Sequence, residues 1–181
     1  MKNKTARHLT RLGCLFILAA LAVWLFEWND NMTKAALARQ QLSALRTPSE
    51  KNPADERFFG DLLIPALELE LPVLSTYSQE AMDQYPCLYA NDGEHLVVCA
   101  HNADSHFGRI GQLGFGDEIT IRTSSASYRY QIEKVEVLEP TEVKRMVESD
   151  YALTLFTCTP FGVRRVAVRA ALCEENVDEN R

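Results

Sequence analysis

The chain lacks a basic excess. Its 181 residues carry 19 Lys and Arg against 25 Asp and Glu, a formal net charge of -6. A nucleic-acid binder needs a basic face to meet phosphates, so that class is excluded. No internal repeat and no low-complexity tract is present, which excludes a repeat array. Cys-x-x-Cys pairs are absent as well. Cys99-x-His101 is therefore only half of a four-ligand zinc site, and neither a metal nor a cofactor is expected. The length permits one ordinary domain with appendages and little room for a second core.

Long apolar runs are scarce too, and the one present is informative. Leu12 to Phe26 carries no charge, and Trp24 and Trp28 sit at its far end, where indoles favour a membrane interface. At about 15 residues it falls short of the roughly 20 needed to span hydrocarbon. The stretch from Leu9 to Trp28 reaches that length if Arg11 snorkels. Lys2, Lys4, Arg7 and Arg11 precede the run, so the positive-inside rule puts the N-terminus in the cytoplasm and everything after Trp28 outside. Ala36-Leu37-Ala38 has the small residues of a signal-peptidase site, but Asp30 and Lys34 separate it from the run, so an uncleaved anchor is favoured. The expected organisation is a cytoplasmic tail and single-pass transmembrane helix over 1–28, with lipid contact through 12–28. A stalk and linker over 29–57 and an extracytoplasmic domain over 58–181 follow.

Within the domain, short apolar runs recur between turn residues: Asp61 to Pro65, Leu71 to Leu74, His95 to Ala100, Glu118 to Arg122, Tyr128 to Val137, Leu153 to Cys158 and Arg165 to Ala171. Many short strands point to a barrel or a sandwich. ITIR and YRYQIEKVEV alternate apolar with polar residues and would have one wet face, whereas LVVCA and LTLF are continuous and belong at the centre of the sheet. Helical signals are few: Ser78 caps SQEAMDQY, and Pro140-Thr141 opens TEVKRMVE.

Five cysteines are an odd number for a chain facing outward. Cys14 lies in the apolar run and acts there as a small hydrophobe. Cys158 ends an apolar strand beside the turn Thr159-Pro160-Phe161-Gly162, where a side chain can be both held and exposed, as a nucleophile requires. His101 leaves the run LVVCA in the same way, so its placement mirrors that of Cys158 and makes it a candidate proton carrier, though a histidine so placed is ordinarily a solvated surface residue. His95 belongs at the other end of that strand, while His106 could approach the same rim. Arg165, with Arg164 as second choice, opens a strand returning antiparallel past Cys158, where a guanidinium could hold a developing oxyanion. Arg169, further along, reads as a solvated charge. Cys87 and Cys173 are the candidate pair for a disulfide.

Thr154-Leu155-Phe156-Thr157-Cys158 with Thr159-Pro160-Phe161-Gly162 and Arg165-Val166-Ala167-Val168-Arg169 resembles the signature of the sortase family. Ala100-His101-Asn102, His106-Phe107-Gly108-Arg109-Ile110 and Leu113-Gly114-Phe115-Gly116-Asp117 are similar to its histidine segment, and Gly60 to Pro65 with Leu71-Pro72-Val73 to its opening strands. The resemblance implies a mainly β fold, an eight-stranded barrel with short connecting helices, in which His101, Cys158 and Arg165 meet. It also implies a cysteine transpeptidase that cleaves an LPxTG-like sorting signal of a surface protein through a Cys158 thioester. The acyl group would pass to an amine of the cell wall or of a pilin, in a Gram-positive type of envelope. Residues 47 to 58 hold no acidic-proline-aromatic lid, and no second apolar span follows Arg169, which favours a housekeeping or single-substrate type. Glu142, Glu148 and Asp150 lie where some sortases bind calcium, but a carboxylate cluster of this kind is usually only solvated.

Overall fold

Alternation of apolar and polar side chains along the strands dictates which face turns inward. In Glu118–Arg122, Ile119 and Ile121 are fully buried while the residues at either end are exposed. The computed structural model describes residues 15–25 and 57–177. Eight strands form a closed barrel: β1 Phe58–Ile64, β2 Leu69–Leu74, β3 Cys87–Asn91, β4 Leu96–Cys99, β5 Glu118–Arg122, β6 Ala126–Leu138, β7 Leu153–Cys158 and β8 Arg165–Val177. Their order round the barrel is β1-β2-β3-β4-β7-β8-β6-β5, closed by antiparallel pairing of β1 with β5.

Closure depends on a close approach at Gly60, where a Cβ would lie 2.1 Å from the Arg122 carbonyl oxygen. Only glycine fits there. The core is filled by Leu62, Ile64, Val98, Ile121, Leu155 and Val168, among others, all with no exposed area. Burying such a side chain stabilises by roughly 1.5–3 kcal/mol, which makes this interior the main source of fold stability.

Strand β3 is the element that the sequence did not announce. Its five residues follow Pro86 and carry no clear alternation, so the pattern was too short to read. The two continuous apolar runs do lie together at the middle of the wall, β4 pairing parallel with β7. Helix α1 covers residues 15–25, with its large apolar side chains exposed. Among the described residues, no helix is long and apolar enough to cross a membrane. The flanks of the expected span, and the stalk and linker up to residue 56, lie outside the described residues. Helix α2 (Gln79–Met82) begins where the Ser78 hydroxyl accepts the Ala81 N–H at 3.0 Å, as a capping serine should. Helix α3 (Val143–Val147) sits in the β6–β7 connection, fastened by Met146 against Leu138 and Ala167.

Arg169 corrects the expectation of a solvated charge: only 1% of it is exposed. Its outward position on β8 is roofed by α3. Nε donates to Glu136 Oε1 at 3.1 Å, and Nη1 to Thr154 Oγ1 at 2.7 Å and to the Met146 carbonyl at 3.1 Å. Nη2 reaches the Arg145 carbonyl. A buried guanidinium survives because its donors are satisfied in this way.

Candidate active site

Parallel pairing of β4 with β7 sets Cys99 opposite Phe156. Beyond it, the Ala100 N–H donates to the Phe156 carbonyl at 3.3 Å and the Thr157 hydroxyl to the Ala100 carbonyl at 2.8 Å. The two chains thus stay locked to their last residues. His101 and Cys158 emerge side by side from neighbouring strand ends, whose backbones in a sheet lie roughly 4.8 Å apart. Leu153 and Leu155 fill the barrel core, so alternation turns Thr154, Phe156 and Cys158 to the outer face. The site is therefore on the outer wall at the strand ends.

Antiparallel pairing of β7 with β8 puts Arg165 directly opposite Cys158. The turn between them is tied by the Thr159 N–H to the Arg164 carbonyl and the Arg164 N–H to the Thr159 hydroxyl, both at 2.9 Å. Phe161 and Gly162 take positive φ there, 64° and 71°. Arg165 Nη1 donates to the Gly162 and Arg164 carbonyls at 3.1 Å each, which holds the guanidinium at the turn. Arg164 points elsewhere and pairs with Glu139 at 3.1 Å. His101, Cys158 and Arg165 are all half-buried, open enough for a substrate to reach.

The other two histidines of the domain have partners of their own. His95 sits at the opposite end of β4, its Nδ1 3.0 Å from Asp92 Oδ2. The His95 backbone N–H, its ring and the Glu94 N–H bring the Asp92 carboxyl down to about 2. A cavity of about 530 Å3 opens at that distal end, lined by His95, Glu94, Tyr128 and Glu175 among others, away from Cys158. His106 is 2% exposed, and its Nε2 is engaged in donating to the Gln84 carbonyl at 3.1 Å.

Cys87 and Cys173 are both free thiols, which overturns the expected disulfide. Strands β4 and β7 stand between β3 and β8, roughly three strand spacings of 4.8 Å. The pairings Cys87 to Cys99, Cys99 to Phe156 and Phe156 to Ala167 leave Cys173 further along β8 still. That exceeds the roughly 7 Å limit between Cα atoms for a bridge. Cys87 instead faces Cys99, and burial pushes the two thiols up to about 11 and about 12. Both stay protonated at neutral pH and are poor nucleophiles.

Among the described residues no group of three or more His, Cys, Asp or Glu is placed to hold a metal ion. Glu142 accepts from the Glu139 N–H at 2.8 Å and from Arg145 at 2.6 Å, while Glu148 pairs with Lys144 at 3.3 Å, so these carboxylates are engaged separately.

Two features went unread in the sequence. Asp83, at the C-terminal end of α2, lies with Oδ1 2.7 Å from His101 Nε2. Nothing in a separation of 18 residues announces that contact. Tyr77, Tyr89 and Phe156 form an edge-to-face row, with centroids 5.1 and 5.2 Å apart, across the same outer face.

The family model for the Sortase domain matches residues 62–173. Sortase D of Bacillus subtilis (strain 168) is 27% identical over 109 residues, covering 57% of this chain and 55% of that protein. The chain thus spans about half the length of that curated relative. Among solved structures, sortase E1 of Streptomyces coelicolor, with a tripeptide in its active site, superimposes with a TM-score of 0.60 at 24% identity over 67% of this chain and 91% of that one. Sortase C of Streptococcus pneumoniae, whose structure bears on pilin substrate specificity, gives 0.61 at 22% identity over 84% and 92%. At these identities the likeness is one of fold.

Proposed function

The chain belongs to the sortase family, and from that premise we propose that it is a membrane-anchored cysteine transpeptidase with Cys158 as nucleophile. The observation that carries the reading is the register: parallel β4–β7 pairing delivers His101 beside Cys158, and antiparallel β7–β8 pairing delivers Arg165 opposite it.

The Cys158 thiolate attacks the carbonyl carbon of the scissile peptide bond in an LPxTG-like sorting signal. The Arg165 guanidinium, released from its own turn, stabilises the oxygen that gains charge. The C–N bond breaks as protonated His101 gives its proton to the departing amine, leaving an acyl thioester on Cys158. An amine of the cell wall or of a pilin then attacks the thioester. His101 takes its proton, the C–S bond breaks and the thiolate returns. Two rigid strand ends supply the positioning that such a transfer needs. The apolar span from Leu9 to Trp28 would hold the domain at the outer surface of the cell membrane, near both the sorting-signal proteins and the acceptor amines.

The test is incubation of the full chain in detergent micelles with a panel of sorting-signal peptides and triglycine as amine. Cleavage with formation of the triglycine product, abolished in Cys158→Ala, is expected. Peptide binding with neither cleavage nor a thioester on any peptide would sink the enzyme reading, and release of free acid alone would make it a hydrolase.

A further inference from the structure

Within the transpeptidase reading, we propose that Asp83 is a positioning residue. Its carboxylate holds His101 by Nε2 and leaves Nδ1 as the nitrogen that gives the proton to the departing amine and takes it from the acceptor amine beside Cys158.

The contact is short, 2.7 Å from Asp83 Oδ1 to His101 Nε2. A carboxylate only accepts hydrogen bonds, so the shared proton belongs to Nε2 and the neutral ring presents Nδ1 as its acceptor. Acyl transfer asks this ring first to donate and then to accept at one place. A ring turning freely about its side-chain bonds would offer either nitrogen; a base oriented by a third group offers one.

The carboxylate itself is carried on a braced platform. Ser78 caps the start of α2, and the Asp83 N–H returns to the Gln79 carbonyl at 3.2 Å. His106 Nε2 holds the next residue, Gln84, by its carbonyl at 3.1 Å, and Tyr85 is buried edge-on against Phe58. His106 thus enters the site indirectly, by fixing the segment that fixes His101.

The side chains are 35% and 62% exposed for His101 and Asp83. A contact this open adds little to stability. Its loss should therefore leave the fold intact and act on ring orientation, which separates a positioning role from a structural one.

The experiment uses the full chain in micelles with the panel peptide it cleaves best and triglycine. Asp83→Ala is expected to lower kcat roughly tenfold, a fraction of the 10²–10⁴ that general acid–base catalysis supplies, with KM unchanged. Asp83→Asn keeps an oxygen that accepts from Nε2 and should regain most of the rate. In 15N NMR spectra the His101 Nε2 resonance moves in Asp83→Ala and stays near its parent position in Asp83→Asn. A kcat for Asp83→Ala within about twofold of the parent, or an Asn variant no better than the Ala variant, overturns the proposal. If the parent cleaves no peptide, the transpeptidase reading fails by itself. The Nε2 resonance then decides the pair: unmoved in Asp83→Ala overturns it, and moved supports it.

Discussion

Replacing Arg169 with methionine keeps the apolar stem and removes the guanidinium, and its cost can be worked from the contacts. The change deletes the bond to Glu136 and leaves Thr154 Oγ1 and the Met146 and Arg145 carbonyls without their donor beneath α3. Removing one partner of a buried ion pair costs roughly 3–5 kcal/mol. Glu136 is not abandoned, since Lys134 and Arg145 remain 2.8 and 3.2 Å from its carboxylate. The expected loss is therefore nearer roughly 2–3 kcal/mol, or roughly 6–12 °C in the Tm of a domain this size. Calorimetry of the parent and Arg169→Met at pH 7 measures it, and a fall under about 2 °C would refute the reasoning.

The pH dependence gives a second handle on the same group. Burial raises the Glu136 pKa, but hydrogen bonds and charge from Lys134 and Arg169 outweigh it, so the folded value is lowered. A lowered carboxyl contributes stability that is complete above the unfolded value, roughly 4.3, and is lost as pH falls through the folded value. The gap in Tm between parent and variant should accordingly narrow in acid. A gap independent of pH would mean that the packing of the stem, and not the ion pair, is what matters.

Alkylation at pH 7.5 followed by peptide mass spectrometry should label Cys158 and Cys173 and spare Cys87 and Cys99, whose thiols burial holds near 11 and 12; rapid labelling of the latter pair before unfolding would contradict the packing. Arg165→Ala should lower kcat roughly 10²-fold, in the range of a lost oxyanion donor, while Arg164→Ala, which breaks only an exposed pair with Glu139, should leave it nearly unchanged. Equal losses in steady-state peptide cleavage would reverse that assignment. Gly60→Ala should destabilise the barrel by several °C in a thermal melt, because its Cβ meets backbone 2.1 Å away; an unchanged Tm would show that β1 and β5 can part without cost.

The strand ends that matter were legible because each is a local event. A continuous apolar run gives way to a polar or turn segment after Ala100 and at Cys158, and the residue at each junction, His101 or Cys158, must stand at a rim. The Ser78 cap was legible for the same reason, a hydroxyl three residues from the N–H it serves. Strand β3 was not, being short and without alternation. Arg169 misled because an arginine in a strand is ordinarily wet, and only the fold of the β6–β7 connection over it reverses that. The disulfide expectation failed on geometry: two unassigned cysteines suggest a bridge, but the barrel order sets two strands between them.

By itself, then, the sequence determined the β character of the domain, the thiol, the imidazole and the guanidinium at their strand ends, and the signature that joins them. Tertiary structure alone decided that Cys87 faces Cys99, that Arg169 lies beneath α3 and that Asp83 reaches His101 across 18 residues. Patterns of period and capping are written within a few residues, whereas these contacts depend on which strands become neighbours and in what register once the barrel closes.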